Sequence, residues 1–331
     1  MNWGILGHEW AVTLLTEHIL QGKVRHAYLI CGAKGLGRRT LALRFAKALN
    51  CPHPLSPGQP CDVCSTCQRI EREQHPDLAI VEAEHEGGTL KVDQVRELQH
   101  NLALAPYEGR YRVAILLRFQ EAHVSAANAL LKMLEEPPPQ VILVLTADNT
   151  ESLLPTIVSR CEVLRLRPLP VETVSQGLQA RLDLTAERAR LLAHLSDGRP
   201  GIALQLHKQP DRLEQRQDWL SDHQALLIAN RVERFSYAKL LTDPKGLKDS
   251  LPAILQAWLS YWRDVMLCSA GASILPVNLD YSEQIEKQAH RLGLAVAQRV
   301  VADIERTLEQ LDQNVNARLA VEVLLLNLPY I

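Results

Sequence analysis

Four cysteines crowd one short stretch of the chain, Cys51, Cys61, Cys64 and Cys67, in the pattern Cys-x9-Cys-x2-Cys-x2-Cys. Thiolates are soft ligands, and a turn-rich segment holding Pro52, Pro54, Pro57, Gly58 and Pro60 can fold four of them into a tetrahedron around zinc. Four sulfurs close the coordination shell, so the expected role is structural, with the metal supplying folding free energy to an excursion too polar to hold itself together. An iron–sulfur cluster and unligated thiols are the alternatives. His53 and His75 stand close enough to compete as ligands, though a complete four-cysteine set needs neither. Cys31, Cys161 and Cys268 are dispersed, which is not a disulfide framework.

A second constellation precedes the cysteines. Gly32-Ala33-Lys34-Gly35-Leu36-Gly37-Arg38-Arg39-Thr40 follows a short apolar run and opens a helical pattern, a setting in which backbone N–H groups and a helix N-terminus cradle phosphate. Phosphoryl chemistry then needs a lysine where Arg38 stands and a magnesium-binding hydroxyl where Arg39 stands; Thr40 arrives one residue late. The apolar run 113–117 should end in acidic residues that hold magnesium and activate water, but Leu117 and Arg118 stand there. Glu121, offset from that end, has the character of an ordinary solvated helix-entry residue. Gly32, Gly35, Gly37, Arg38, Arg39 and Thr40 therefore form a degenerate loop, either a retained phosphate cradle or a structural strand–turn–helix.

The elements that must position these residues follow from periodicity. Apolar residues at helical spacing predict a helix over 5–20 and another over 40–49, with a buried strand at 27–30 between them. Strands are expected at 78–81, 113–117 and 141–145, and helices at 93–102 and 126–136, the last stopped by Pro137-Pro138-Pro139. That alternation predicts an α/β core over 1–168, with the zinc module inserted at about 51–67. Beyond Pro168 and Pro170 the pattern is helical, over 171–194 and most of 212–326, with a boundary in the polar stretch 208–218. The expected parts are a small helical lid at 169–208 and an all-helical domain at 209–331.

The chain has 331 residues, 47% of them hydrophobic, and 36 Lys plus Arg against 38 Asp plus Glu give a net charge of -2. This excludes a disordered or fibrous chain and a basic coat for nucleic acid. No apolar window reaches the length of a membrane span, and the first thirty residues lack the pattern of an export signal, so a reducing, cytoplasmic setting is expected.

Several segments together carry a resemblance: His26-Ala27-Tyr28-Leu29, the altered glycine loop, the four cysteines, the run Ala126-Ala127-Asn128-Ala129-Leu130-Leu131-Lys132-Met133-Leu134-Glu135-Glu136-Pro137-Pro138, and Ser159-Arg160-Cys161. With these the sequence resembles the bacterial clamp-loader family of AAA+ proteins. Likeness extends through residues 198–204 and, more loosely, 311–328, where Leu311 to Leu319 resembles the end of the family's collar domain. The resemblance implies an AAA+ P-loop core, a helical lid, and a helical collar joining a hetero-pentameric ring with delta and gamma/tau subunits. It implies that Arg160 acts in trans as an arginine finger on ATP held by a neighbouring subunit, where a guanidinium fork matches phosphate geometry. The ring would place a sliding clamp on primer-template DNA as part of the DNA polymerase III holoenzyme, with nucleoid association during replication.

Arg38, Arg39, Leu117 and Arg118, together with Gly201 where active relatives carry a lid arginine, favour the non-hydrolysing, delta-prime-like branch over the gamma/tau branch. No ATPase activity of its own is then expected. Without the family context, Arg160 has the alternative of solvent exposure or an internal salt bridge. The competing functions are an autonomous P-loop ATPase or gamma/tau-like nucleotide switch, and a zinc-bearing DNA-binding protein. The first lacks its catalytic residues, and the second lacks a basic aromatic surface or a base-reading helix beside the cysteines.

Overall fold

The computed structural model describes residues 3–313 and 315–331, and the chain divides into two compact units, Met1–Gly177 with Arg199–Ile202, and Leu178–Gly198 with Ala203–Ile331. Asn314, within the stretch that resembles the collar end, lies outside the described residues. The first unit contains α1 (Glu9–Leu20), β1 (Ala27–Cys31), α2 (Arg38–Asn50), α3 (Ser65–Glu71), β2 (Leu78–Val81), α4 (Val92–Leu102), β3 (Arg112–Leu116), α5 (Val124–Glu135), β4 (Val141–Ala147), α6 (Pro155–Val158) and β5 (Glu162–Arg165), and α7 (Val171–Leu182) starts in it.

All five strands are parallel, in the order β2-β3-β4-β1-β5. β1 and β4 are buried along their whole length, because helices cover both faces and a strand so enclosed must be apolar on both sides. Tyr28 and Ile30 pack with α1 and α2, whereas Ala27, Leu29 and Cys31 pack with α4 and α5. α2 buries Leu41, Ala42, Phe45, Ala46 and Leu49, one stripe of a 3.6-residue period. Its Phe45 stacks on Trp3 with centroids 6.2 Å apart and meets the edge of Tyr28 at 4.9 Å.

Buried Asp77 ties down the loop before β3. Its carboxylate accepts the backbone N–H groups of Tyr107, Glu108 and Gly109 at 2.6, 2.9 and 2.7 Å. Burial pushes this carboxyl up, but the three donors outweigh it and hold Asp77 below the usual carboxylate range.

The second unit is all-helical: α8 (Ala186–Leu195), α9 (Pro200–Lys208), which enters it from residue 203, α10 (Asp211–Ile228), α11 (Arg231–Thr242), α12 (Leu251–Ser269), α13 (Ser282–Asp312) and α14 (Ala317–Asn327). Its core gathers on α12, where Trp258, Tyr261 and Trp262 are fully buried. Trp262 Nε1 donates to His223 Nε2 at 2.9 Å, and burial pulls that imidazole down to about 3, so it stays neutral. α13 breaks at Gly293, whose φ of 73° no ordinary helical residue adopts.

Local details depart from the pattern-based expectations. The helix expected over 171–194 is two, because Asp183 takes a left-handed φ of 51° and the Thr185 hydroxyl then accepts the N–H of Arg188 to start α8. Within the polar stretch 208–218 the break between helices is short, since α9 ends at Lys208 and α10 begins at Asp211 and turns Leu213 inward. β5 and α3, of four and seven residues, are too short to announce themselves by periodicity.

Candidate functional site

The glycine loop turns from the end of β1 into α2; the connection leaving β1 packs on one face of the sheet and the one leaving the neighbouring β4, through α6, on the other, and ligands of open parallel sheets bind at such a switch point. Gly35 has φ 89°, its carbonyl accepts the N–H of Gly201 at 2.8 Å, and an added Cβ would meet Ile202 Cγ1 at 2.6 Å. Gly37, φ 93°, is the N-cap of α2. A cleft of about 370 Å³ opens over the loop, lined by Lys34, Gly35, Gly37, Arg38, Arg39, Thr40, Leu117, Arg118, Thr146 and Gly201 among others. Gly32 lies beneath it, hydrogen-bonded through its N–H to Ala147 O at 3.1 Å.

Every cation around this cleft is matched by a carboxylate of the chain itself. Lys34 Nζ lies 2.6 Å from Glu86, Arg38 Nη1 lies 2.7 Å from Asp148, and Arg39 Nη2 lies 2.6 Å from Glu73. Arg118 pairs with both Glu82 at 2.8 Å and Glu121 at 3.0 Å. The Arg38 contact is an ion pair at close range without an aligned hydrogen bond. Each cation that a phosphate would meet thus already has a carboxylate partner within the chain. Glu121 is not the solvated residue its position suggested: it is largely buried, and it also accepts the Gly87 N–H at 3.0 Å. Thr146, buried at the end of β4, uses Oγ1 to accept the N–H of Arg118 at 2.9 Å.

Arg160 follows α6, away from the glycine-loop lining, and its side chain is 35% exposed. Nη1 donates to the Thr156 carbonyl at 2.8 Å and Nη2 to Glu135 Oε1 at 2.8 Å. Cys161, beside it, is a packed thiol that burial pushes up to about 12, which removes it from nucleophilic chemistry.

Cys51, Cys61, Cys64 and Cys67 converge, with all four sulfurs within 4.8 Å of one another, and form a set able to hold a metal ion. Cys51 is the C-cap of α2, and Cys64 is the N-cap of α3. The N–H groups of Cys61, Cys64 and Cys67 point at the sulfurs of Cys51, Cys61 and Cys64, each at 3.4 Å. Donation from Cys64 and then Val63 backbone N–H holds the Cys61 thiol down to about 6, an arrangement that favours thiolate. His75 is buried instead beside Glu108, 3.0 Å from Nε2, and takes no place in the set. The cluster is fastened to α2 by Lys47, whose buried ammonium pairs with Asp62 at 2.9 Å and with Glu71, and by Arg44, 2.7 Å from Asp62. This brace escaped the sequence reading, where a lysine in mid-helix gives no sign of being buried.

A parallel sheet with a glycine loop at its switch point, helices on both faces, a four-cysteine module and an all-helical C-terminal region define an AAA+-type fold. The family described as DNA polymerase III, delta subunit, matches residues 7–170, and its C-terminal counterpart matches residues 210–329. The DNA polymerase III subunit delta' of Pseudomonas aeruginosa is 37% identical over 296 residues, 89% of this chain and 83% of that one; the delta' of Bacillus subtilis is 29% identical over 95% of this chain and 94% of its own. The subunit tau of Escherichia coli is 34% identical over 210 residues, which is 62% of this chain but only 32% of tau. The chain belongs to the clamp-loader subunits of bacterial DNA polymerase III, on the delta and delta' side of that AAA+ family. No helix among the described residues is long and apolar enough to cross a membrane.

Proposed function

We propose that this chain is the non-hydrolysing, delta-prime-like member of a clamp loader, acting on ATP held by a neighbouring subunit through Arg160. The observation that carries the reading is the state of its own cleft: Arg38 and Arg39 replace the lysine and the hydroxyl, both are paired with carboxylates of the chain itself, and Leu117 and Arg118 follow β3 at the positions where magnesium-holding acids would stand. Its three functional parts are then an AAA+ core at 1–168, a lid at 169–208 and a collar at 209–331. The partners are delta and gamma/tau subunits in a five-membered ring, which loads the sliding clamp on primed DNA.

The purified chain is expected to show no magnesium-dependent ATP turnover above buffer, while an assembly of its partners is expected to need it for DNA-dependent clamp loading. Robust turnover by the isolated chain would sink this reading and leave the autonomous ATPase in its place.

The ion for the cysteine module is zinc. A tetrahedron with metal–sulfur bonds of about 2.3 Å has sulfur–sulfur edges of about 3.8 Å, and Cys51 and Cys61 already stand 3.6 Å apart. Bound there, zinc would close a structural shell and staple the C-terminus of α2 to α3. About one zinc per chain is expected by elemental analysis of protein purified without added metal. Cys64→Ala removes a ligand and the α3 N-cap together, so zinc should be lost and hydrogen exchange should accelerate over residues 51–75 while the β1 and β4 amides stay protected. Wild-type protein that carries no stoichiometric metal would refute the assignment.

A further inference from the structure

The cysteine module reaches the glycine-loop cleft through a ladder of contacts between α2 and the segment 61–73, all within the first unit. At one end Cys51 stands with Cys61, Cys64 and Cys67. Next come Lys47, paired with Asp62 and Glu71, and Arg44, 2.7 Å from Asp62 and 3.9 Å from Glu71. At the far end Arg39 meets Glu73. The two segments therefore run antiparallel, with the sulfurs at one end and Arg39, which lines the cleft, at the other.

Glu73 is an unusual residue for its place. α3 closes in a left-handed turn, where the Glu73 N–H donates to Ile70 O at 3.0 Å, the Gln74 N–H donates to Arg69 O at 2.8 Å, and Glu73 has φ 60°. Glycine is favoured there, because a Cβ costs stability in left-handed backbone. Glu73 keeps a side chain at that cost and commits it to Arg39. Its two carboxylate oxygens accept Nη2 at 2.6 and 2.7 Å, and Oε1 also accepts Nε at 3.2 Å. These are donors that a phosphate would otherwise take. The other carboxylate near Arg39, Glu82 at 3.8 Å, is already shared with Arg118.

The place of Glu73 depends in turn on α3. A helix of seven residues does not hold itself in water, and α3 is started by Cys64 as its N-cap and anchored by the fully buried Cys67. We propose that Glu73 is an autoinhibitory counter-ion set by the cysteine module. With metal bound, α3 is ordered and Glu73 closes Arg39 to phosphate; with metal lost, α3 loosens and Arg39 becomes free to bind polyphosphate, without hydrolysis. The coupling rests on the zinc assignment above, whereas the pairing of Glu73 with Arg39 does not.

Titration calorimetry of the full-length chain with sodium tripolyphosphate at low salt tests it, with zinc content measured on each sample. Glu73→Gly in the metal-loaded chain should bind roughly three- to tenfold tighter than wild type, the scale of one exposed ion pair plus the lost repulsion of one carboxylate. Its thermal midpoint should be no lower, since glycine suits the turn. Glu73→Gln should match that affinity, and Arg39→Gln added to Glu73→Gly should abolish the gain. Glu283→Gln, the same charge change on an exposed residue of the helical unit, should bind like wild type. Cys64→Ala should tighten binding as much as Glu73→Gly, and the two together should add nothing further. The counter-ion role is overturned if Glu73→Gly and Glu73→Gln bind like wild type, or if Glu283→Gln gives the same gain. The coupling is overturned by metal-free Cys64→Ala that binds like wild type. A wild-type chain that carries no metal overturns the coupling together with the zinc assignment, while a gain from Glu73→Gly in that chain still supports the counter-ion.

Discussion

Arg160→Ala in an otherwise complete clamp loader is expected, on the role in trans proposed for it, to lower ATP turnover by 10³-fold or more at the neighbouring site, because an arginine finger is worth that much in phosphoryl transfer. The fold should be unaffected. Arg160 is partly exposed, and the Glu135 pair that holds it is a surface ion pair worth about 0–1 kcal/mol. The same small figure fits the proposed role: moving to a phosphate would cost little on leaving Glu135 and would gain a fork of two charge-assisted hydrogen bonds. Arg160→Lys should not restore the rate, since an ammonium is a point charge without the bidentate geometry. Glu135→Gln should leave turnover close to wild type. Single-turnover measurements on reconstituted complexes give the answer, and an Arg160→Ala complex with unchanged ATP turnover and clamp loading would remove Arg160 from the mechanism.

Arg234→Met is expected to be the most destabilising single change in the helical unit, by about 3–5 kcal/mol, the usual cost of stranding the partners of a buried charge. Arg234 is 1% exposed and donates only to carbonyls: Leu226 at 3.1 Å, Leu325 at 2.9 Å, Leu328 at 2.8 Å and Pro329 at 3.2 Å. These are the carbonyls that α10 and α14 leave without partners at their C-terminal ends, and one guanidinium from α11 satisfies both helices while its charge meets the negative ends of their dipoles. Tyr330 lies over the guanidinium, 4.3 Å from the ring centroid. Methionine has nearly the same length and no donor, so the substitution removes the hydrogen bonds without opening a large cavity. Calorimetry of the full chain should show the helical unit melting roughly 10 °C lower. Lysine, with one ammonium for four acceptors, should fall between. A shift below about 2 °C would mean that the carbonyls find other partners.

What could be seen in advance and what could not divides along physical lines. The cysteine set was legible because ligand chemistry is a matter of residue type and short spacing, and Cys61, Cys64 and Cys67 lie within one turn-and-helix segment. The glycine loop was legible for the same reason, since Gly35 and Gly37 take backbone angles that other residues resist. β1 and β4 announced themselves as unbroken apolar runs. β5, four residues long with Glu162 and Arg165 at its ends, did not, because so short a strand with charged ends has no period to read.

The amino-acid sequence by itself determined which donors the chain owns and which it lacks: four thiolates in one module, a glycine turn before a helix, arginines where lysine and a hydroxyl would stand, and Leu117 and Arg118 where acids would follow β3. Only the tertiary structure decided which charges are free. Lys34 and Glu86 are 52 positions apart, Arg39 and Glu73 are 34 apart, and Arg234 is 91 positions from Leu325, yet each pair is in contact. Coulomb attraction and desolvation depend on separation in space and on burial, and neither can be read from separation along the chain. That is why Arg38, Arg39 and Arg118 are matched at the glycine loop by carboxylates far along the chain, a pairing that no local pattern announces.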